Sequence, residues 1–171
     1  MPSSLQTALA ALHAQIRACQ KCLEAGYGIV PGAVVRGVHT AKIMTIGQAP
    51  GPTEAVVKRP FNAGSGQRLF QWLGEAGFDE AAFRASQYMT AVTKCYPGKS
   101  SGGQGDRVPS KEEQALCRPW LDAEIALVNP RVIIPLPHPS GASTWHNTVE
   151  HQARVKKAIR LIRAQREALG L

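Results

Sequence analysis

The stretch IMTIGQAPG, residues 43–51, decides the fold class of this chain. Its first four residues form a short apolar run that is typical of a buried β-strand. The run ends abruptly in a loop rich in glycine and proline, residues 47–51. Two more runs of this kind occupy residues 88–93 and 132–136. Because helix-like segments separate the runs, we predict an α/β fold with a short, mostly parallel central sheet flanked by helices.

The segments between and around these runs have helical periodicity. The predicted helices cover residues 4–17, 67–76, 110–128 and 147–169. Ser4 and Ser110 are the expected N-caps of the first and third helices, and Glu113 lies in the first turn of the third. Residues 53–65 and 96–110 are rich in turn-forming residues, so they are predicted to be loops.

Length and composition limit the class of protein. The 171 residues suffice for one domain, residues 1–171, with a real hydrophobic core. With 44% apolar and 19% charged residues, the chain is not a disordered tail protein. It has no apolar run of about eighteen residues, so no membrane span is expected. The first residues resemble no export signal, and we expect a cytoplasmic protein that acts as a monomer.

The charge of the chain is strongly positive. A net charge of +8 indicates a polyanionic partner, most often nucleic acid, or else a solvated basic surface. Several basic side chains flank the loop at residues 96–110 and are candidates for phosphate contacts, although most side chains of this kind are simply solvated. They are Lys94, Lys99, Arg107 and Lys111.

Four cysteines occur in the chain: Cys19, Cys22, Cys95 and Cys117. The first two form a C-x2-C pair that follows a helix, whereas a thioredoxin-type redox pair follows a strand. Without an export signal, disulfides are a poor interpretation. Four thiolates together suit tetrahedral zinc or an iron–sulfur cluster, and spacing alone does not choose between them. The alternative is a set of unrelated buried thiols.

Polar motifs follow each of the three predicted strands, beginning at Gly47, Lys94 and His138. Because the carboxyl ends of parallel strands meet at one edge of a sheet, we expect these motifs to converge in one crevice. Prolines on both sides of His138 fix its backbone, so its imidazole can be aimed at a ligand, whereas a lone histidine is more often structural. Phe61 lies close to two glycines and either stacks on a planar base or covers the core.

Taken together and in order, these motifs resemble the iron–sulfur uracil-DNA glycosylases, the fourth-family type of that superfamily. The resemblance rests on the C-x2-C pair, the G-x-x-P-G loop, Arg59-Pro60-Phe61, the Thr93-Lys94-Cys95 segment, Cys117 and His138-Pro139-Ser140. It implies an α/β/α sandwich, a 4Fe-4S cluster and hydrolysis of the N-glycosidic bond of uracil in DNA. Since a base inside a duplex is unreachable, the target must be flipped out.

The resemblance also implies roles for particular residues. The cluster ligands are the four cysteines. The water-activating position is Gln48, and His138 donates to the departing uracil anion. Glu54, the nearest acid, is a further catalytic candidate that could substitute as the general base. The group that contacts the flipped base is Gly47, Ala49, Phe61, Ala91 and Thr93. The group that presses on the DNA backbone is Pro139, Ser140, Gly141 and Ser143.

The chain departs from the family pattern in three ways. Gln48 replaces a glutamate, and an amide orients a water molecule but cannot take its proton. Ala91 replaces an asparagine that reads uracil, which leaves Thr90 and Thr93 as the local polar side chains. Either about one strand–helix unit is missing before His138, or two strands are fused into one.

Two functions are therefore carried forward. The first is a DNA repair glycosylase for uracil or a related deaminated base, associated with the bacterial-type nucleoid. The second is a non-catalytic DNA-binding module held together by a 4Fe-4S cluster or zinc.

Overall fold

A computed structural model of the protein describes residues 3–103, 105–134 and 148–171. Its sheet contains three strands: β1 (Ile43–Gly47), β2 (Tyr88–Ala91) and β3 (Val132–Ile134). The order is β2-β1-β3, and both pairings are parallel. The predicted strands and their parallel arrangement are therefore confirmed, with β2 ending before Val92.

Seven helices surround this sheet within the described residues: α1 (Ser4–Ala18), α2 (Lys21–Glu24), α3 (Pro52–Val57), α4 (Gly64–Glu75), α5 (Glu80–Ser86), α6 (Lys111–Val128) and α7 (Val149–Ala168). The four predicted helices correspond to α1, α4, α6 and α7. The prediction of a continuous loop at residues 53–65 is wrong, because α3 and the first turn of α4 lie there. With six residues, α3 is too short to show helical periodicity.

The core lies on both faces of the sheet because successive strand residues point to opposite sides. Met44 pairs with Tyr88, and both face α1 and α6. That side is filled by Leu9, Leu12, Ile16, Val35, Met44, Tyr88 and Val128. The other side is filled by Ile43, Leu69, Phe70, Leu73, Phe83, Met89, Ile134, Val155, Ile159 and Ile162, with α4, α5 and α7 contributing. The three-layer α/β/α sandwich is thus confirmed.

Two predicted caps can be compared with the structure. The α1 cap is Ser3, one residue earlier than predicted, because its Oγ accepts the backbone N–H of Gln6 at 3.1 Å. The α6 cap is Ser110 as predicted, in a capping box: its Oγ accepts the Glu113 N–H at 3.2 Å, and the Glu113 carboxylate accepts the Ser110 N–H at 2.8 Å. This box fixes where the polar loop ends and α6 begins.

The end of β3 borders residues 135–147, which lie outside the described residues. The predicted extension of the strand to residue 136 falls there, and so does the segment around His138, so the missing strand–helix unit stays a prediction. Over the ranges that the structure describes, no helix combines the length and the apolar character that crossing a membrane requires.

Candidate active site

A cavity of about 560 Å³ opens at the carboxyl ends of β1 and β2. The predicted site residues that line it are Gly47, Gln48, Ala49, Glu54, Phe61 and Ala91. Thr90, Asp106 and Arg107 also contribute to its wall. The structure therefore brings the loop after β1 together with the end of β2, as expected from the topology of a parallel sheet, whereas Lys94 and Cys95 of the motif after β2 line a different cavity.

The loop at residues 47–51 is held by the segment that follows β2. The N–H of Val92 donates to the Gly47 carbonyl at 2.9 Å, and the N–H of Thr93 donates to the Gln48 carbonyl at 3.1 Å. Gly51 then precedes α3, where a Cβ atom would lie only 2.8 Å from Glu54 Oε2. A side chain at this point would crowd the Glu54 carboxylate, which packs directly against the Gly51 backbone.

Glu54 is buried, with 5% of its surface exposed, and it faces the cavity from α3. Its Oε1 accepts the backbone N–H groups of Asn62 at 2.8 Å and Ala63 at 3.1 Å. The carboxylate thereby ties α3 to the loop that carries Phe61. Glu54 was predicted as a catalytic acid or base, and the structure adds this positioning contact.

Phe61 adopts a backbone φ of +51°, in the left-handed region that few non-glycine residues occupy. Its ring lies over the end of β1, 3.1 Å from the point where Gly47 would carry a Cβ. The Phe61 carbonyl packs against Gly66, where a Cβ would lie 1.9 Å from the oxygen. The Phe61 ring thus lies at the cavity wall, and the glycines at positions 47 and 66 leave the space that its ring and its carbonyl occupy.

Arg84 of α5 is a site residue that sequence reasoning missed. Its guanidinium donates to the carbonyls of Pro60 at 2.8 Å and Phe61 at 2.7 Å. It also lies 4.2 Å over the Phe70 ring, and Glu80 Oε1 accepts its Nε–H at 2.7 Å. Burial lowers the pKa of Arg84. No local signal identifies it except the i,i+4 spacing from Glu80, which is common on helix surfaces.

Ala91 lines the cavity, and its carbonyl accepts a hydrogen bond from a buried lysine. Lys94 Nζ donates to the Ala91 carbonyl at 2.6 Å, to Thr90 Oγ at 2.8 Å and to Glu124 Oε2 at 2.5 Å. The Thr90 hydroxyl in turn donates to the Glu124 carboxylate. The prediction that Lys94 contacts phosphates is wrong, because the residue is only 1% exposed.

A chain of hydrogen bonds continues from Glu124 to α1. The Tyr88 hydroxyl donates to Glu124 Oε1 at 3.0 Å, and His13 Nε2 lies 2.7 Å from the Tyr88 oxygen. Since the phenol proton goes to Glu124, the imidazole must donate, so the neutral ring carries its proton on Nε2. Burial, with smaller contributions from Arg17 and Lys94, lowers the pKa of His13 to about 4.

The four cysteines line a second, small cavity between α1, α2, α6 and the segment after β2. All four are free thiols, and Trp120 Nε1 donates to Cys19 Sγ at 3.2 Å. Burial, and then the neighbouring cysteines, raises the pKa of Cys22 and Cys95 to about 11. Within the described chain, no group of three or more His, Cys, Asp or Glu side chains is arranged to hold a metal ion.

Thr93 lines the cysteine cavity, and it is not among the described residues around the larger cavity. Its hydroxyl lies 3.4 Å from the Gln48 carbonyl. Thr90 is engaged with Glu124, as described above. Both threonine hydroxyls are therefore engaged by other parts of the protein.

The loop at residues 96–110 connects the two cavities. Asp106 lines the larger cavity and accepts from Tyr96 Oη and Lys99 Nζ, both at 2.9 Å. Arg107 forms a two-pronged ion pair with Glu113 at 2.6 Å for each bond. Hydrogen bonding to Arg107 lowers the pKa of Glu113. Both predicted phosphate-binding cations of this loop are thus already paired with carboxylates.

Several predicted site residues lie outside the described residues. They are His138, Pro139, Ser140, Gly141 and Ser143. Their roles in catalysis and in contacting the DNA backbone stay predictions.

The sequence was compared with known proteins. Residues 35–163 match the Uracil DNA glycosylase superfamily. The type-4 uracil-DNA glycosylase of Pyrobaculum aerophilum is 35% identical over 127 residues, which cover 73% of this chain and 58% of the relative. The corresponding protein of Sulfurisphaera tokodaii is 32% identical, with 71% and 51% covered, and that of Thermotoga maritima is 36% identical, with 60% and 48% covered.

The chain spans about half the length of the curated relatives it matches. The superfamily match nevertheless extends over both motifs at the larger cavity and the cysteines at positions 95 and 117. The three-layer fold, with its cavity at the strand ends, agrees with that match. This chain belongs to the uracil DNA glycosylase superfamily.

Proposed function

We propose that this protein is a DNA repair glycosylase that hydrolyses the N-glycosidic bond of uracil, or a related deaminated base, flipped out of DNA. The observation that carries the proposal is the larger cavity, where the loop at residues 47–51, Phe61 and Ala91 meet at the strand ends of a superfamily member. The relatives named type-4 uracil-DNA glycosylases support it.

The cavity supplies groups suited to this chemistry. The Phe61 ring offers a flat face on which a flipped base stacks. Gln48 and Glu54 stand on the cavity wall, where they can orient the attacking water molecule. Removal of uracil leaves an anionic base, and a hydrogen-bond donor aimed at its oxygen lowers the barrier by about 3 kcal/mol. We assign that donor role to His138.

We further propose that the four cysteines hold a 4Fe-4S cluster. The donor set fits, because four thiols line a single cavity that α1, α2 and α6 border. Bound there, the cluster supplies a structural cross-link and no open ligand position for catalysis. Visible absorption together with iron, sulfide and zinc analysis of protein purified without oxygen tests this assignment. If the protein contains stoichiometric zinc and no iron, the cysteines bind zinc and the 4Fe-4S assignment is wrong.

An excision assay tests the activity. Duplex and single-stranded oligonucleotides that carry uracil, hypoxanthine or xanthine are incubated with the protein, and abasic sites are cleaved with alkali. We expect strand breaks at one or more of these bases and none at a matched thymine. His138→Ala serves as the catalytic control and should abolish excision while DNA binding is retained.

The second candidate is a non-catalytic module that recognises DNA lesions. Two observations favour it: Gln48 cannot act as a proton acceptor, and Ala91 presents only a methyl group to the cavity. The same assay separates the candidates. Tight binding to lesion-containing DNA, with no strand breaks for any of the three bases, would establish the binding module.

A further inference from the structure

The loop that carries Phe61 is held from two sides by charged side chains. Arg84 donates to the consecutive carbonyls of Pro60 and Phe61, while Glu54 Oε1 accepts the consecutive N–H groups of Asn62 and Ala63. The Arg84 cation thus binds the carbonyl acceptors, and the Glu54 carboxylate binds the N–H donors, of the segment at residues 60–63. Each hydrogen bond to a charged group is stronger than its neutral counterpart.

The conformation of Phe61 explains why such a clamp is needed. A φ of +51° is unfavourable for a residue with a Cβ, and it persists only where the surroundings hold it. The Phe61 carbonyl lies between Gly66 and the Arg84 guanidinium, so a change at either position allows the peptide to turn. When the peptide turns, the ring leaves the end of β1.

Arg84 is itself pre-positioned for this contact. Its side chain is only 10% exposed, its guanidinium stacks on Phe70, and its Nε–H donates to Glu80. Its two terminal nitrogens are therefore directed at the carbonyls of Pro60 and Phe61. A planar fork of this kind has no equivalent in lysine, which is a single flexible point charge.

We propose that Arg84 is a positioning residue: through the Pro60 and Phe61 carbonyls it holds the Phe61 ring ready to stack on a flipped base. The inference rests on the proposed function, because it concerns the ring that receives the base. Arg84 lies in α5, and it is not among the described residues that line the larger cavity, so its proposed action is through the loop that carries Phe61.

A double-mutant cycle on the full chain tests this role. Arg84→Met keeps the apolar stem against Phe70 but removes both donors, and it should lower kcat/KM for uracil in duplex DNA about tenfold or more. The loss should be smaller for single-stranded DNA, where the base does not have to leave a stacked duplex. Arg84→Lys should restore part of the activity. In a Phe61→Ala background, Arg84→Met should have no further effect.

Two controls accompany the cycle. Arg118→Met removes another i,i+4 ion pair, Arg118–Asp122, whose side chains are 66% and 52% exposed, and it should leave kcat/KM unchanged. Glu80→Gln weakens the support of Arg84 and should give a smaller loss in the same direction; it replaces Arg84→Met if that variant does not fold. Unchanged kcat/KM in a folded Arg84 variant, or equal losses in the wild-type and Phe61→Ala backgrounds, would overturn the inference.

A readout without activity separates this inference from the proposed function. The chain contains four phenylalanines, so 4-fluorophenylalanine gives four 19F resonances, and Phe61→Leu identifies that of Phe61. Arg84→Met should shift or broaden this resonance. If the wild type excises no base, the proposed function fails, while a changed Phe61 resonance still supports the positioning role. An unchanged resonance would remove that role.

Discussion

Ala91 determines what the end of β2 presents to the cavity. Its carbonyl is held by Lys94, and its side chain is a methyl group. A methyl group cannot hydrogen-bond the edge of a pyrimidine, and discrimination between bases depends on such bonds. We therefore expect the residue at position 91 to influence which base is preferred.

We predict that Ala91→Asn increases the preference for uracil. An added pair of hydrogen bonds to a base edge is worth about 1–3 kcal/mol, so the ratio of kcat/KM for uracil to that for hypoxanthine should rise about tenfold. Parallel excision assays on both bases measure the ratio, with Ala91→Val as a control of similar bulk and no hydrogen bond. A ratio that stays the same in Ala91→Asn would place the base-reading wall elsewhere.

His13 makes the stability of the protein depend on pH. Its imidazole is buried and its pKa is lowered from the ordinary 6.5 to about 4. As the pH falls below 6.5, His13 becomes protonated in the unfolded chain but stays neutral in the folded chain. The stability that this residue contributes is thus fully present above pH 6.5 and is lost as the pH falls toward 4.

We predict that His13 makes the free energy of unfolding fall by up to about 1.4 kcal/mol for each pH unit between pH 6.5 and 4. Urea unfolding across this range, in wild type and His13→Gln, measures it. Glutamine keeps a donor for the Tyr88 oxygen and does not titrate, so its slope should be shallower by that amount. Identical slopes in the two proteins would show that His13 does not titrate on unfolding.

At the scale of elements, Lys94 and Glu124 join β2 to α6. The pair is almost fully buried, with side-chain exposures of 2% and 0%, and Thr90 and Tyr88 satisfy further acceptor positions of the carboxylate. Removing one member of a buried pair leaves an uncompensated charge, whereas removing both charges does not.

We predict that Lys94→Met lowers the free energy of unfolding by about 3–5 kcal/mol. The double variant Lys94→Met/Glu124→Gln should be more stable than Lys94→Met, because the amide oxygen still accepts from Tyr88 and Thr90 without a buried charge. Urea denaturation of the three proteins gives the comparison. A double variant no more stable than Lys94→Met would show that the carboxylate is not charged there.

At the scale of the whole molecule, the cysteine cavity joins segments that are far apart in sequence. Cys19 and Cys22 lie near α2, Cys95 follows β2, and Cys117 lies in α6. The proposed cluster, bound by all four, would hold α1, the end of the sheet and α6 together. The cysteine cavity and the larger cavity are connected through Lys94, Glu113 and Arg107.

We predict that loss of the proposed cluster lowers Tm by about 10 °C. In a domain of this size each kcal/mol of lost stability lowers Tm by roughly 2–4 °C, so this shift corresponds to a cluster contribution of roughly 3–5 kcal/mol. Thermal unfolding before and after treatment with an oxidant and a chelator measures the shift. Cys117→Ser should show the low Tm without treatment and no further change on treatment. If the Tm of the wild type does not change on this treatment, the four cysteines are ordinary buried thiols and hold no cluster.

Much of the fold and part of the candidate site could be predicted from the sequence. The strands, the long helices and the Ser110 cap depend on patterns within one segment, which the chain displays directly. The short helix α3 and the Ser3 cap were missed, because six residues carry no periodicity and adjacent serines are equally good caps. The motifs at the strand ends were found because a parallel sheet gathers them at one edge.

The sequence by itself determined the succession of strands and helices along the chain, the family, and six of the residues that meet at the ends of β1 and β2: Gly47, Gln48, Ala49, Glu54, Phe61 and Ala91. Only the tertiary structure decided that Arg84 holds the Phe61 backbone, that Lys94 is buried against Glu124, and that Thr93 belongs to the cysteine cavity. The physical reason is distance along the chain: Arg84 and Phe61 are 23 residues apart, and Lys94 and Glu124 are 30 apart. No local pattern encodes which carbonyl or carboxylate a distant cation will reach once the core has packed.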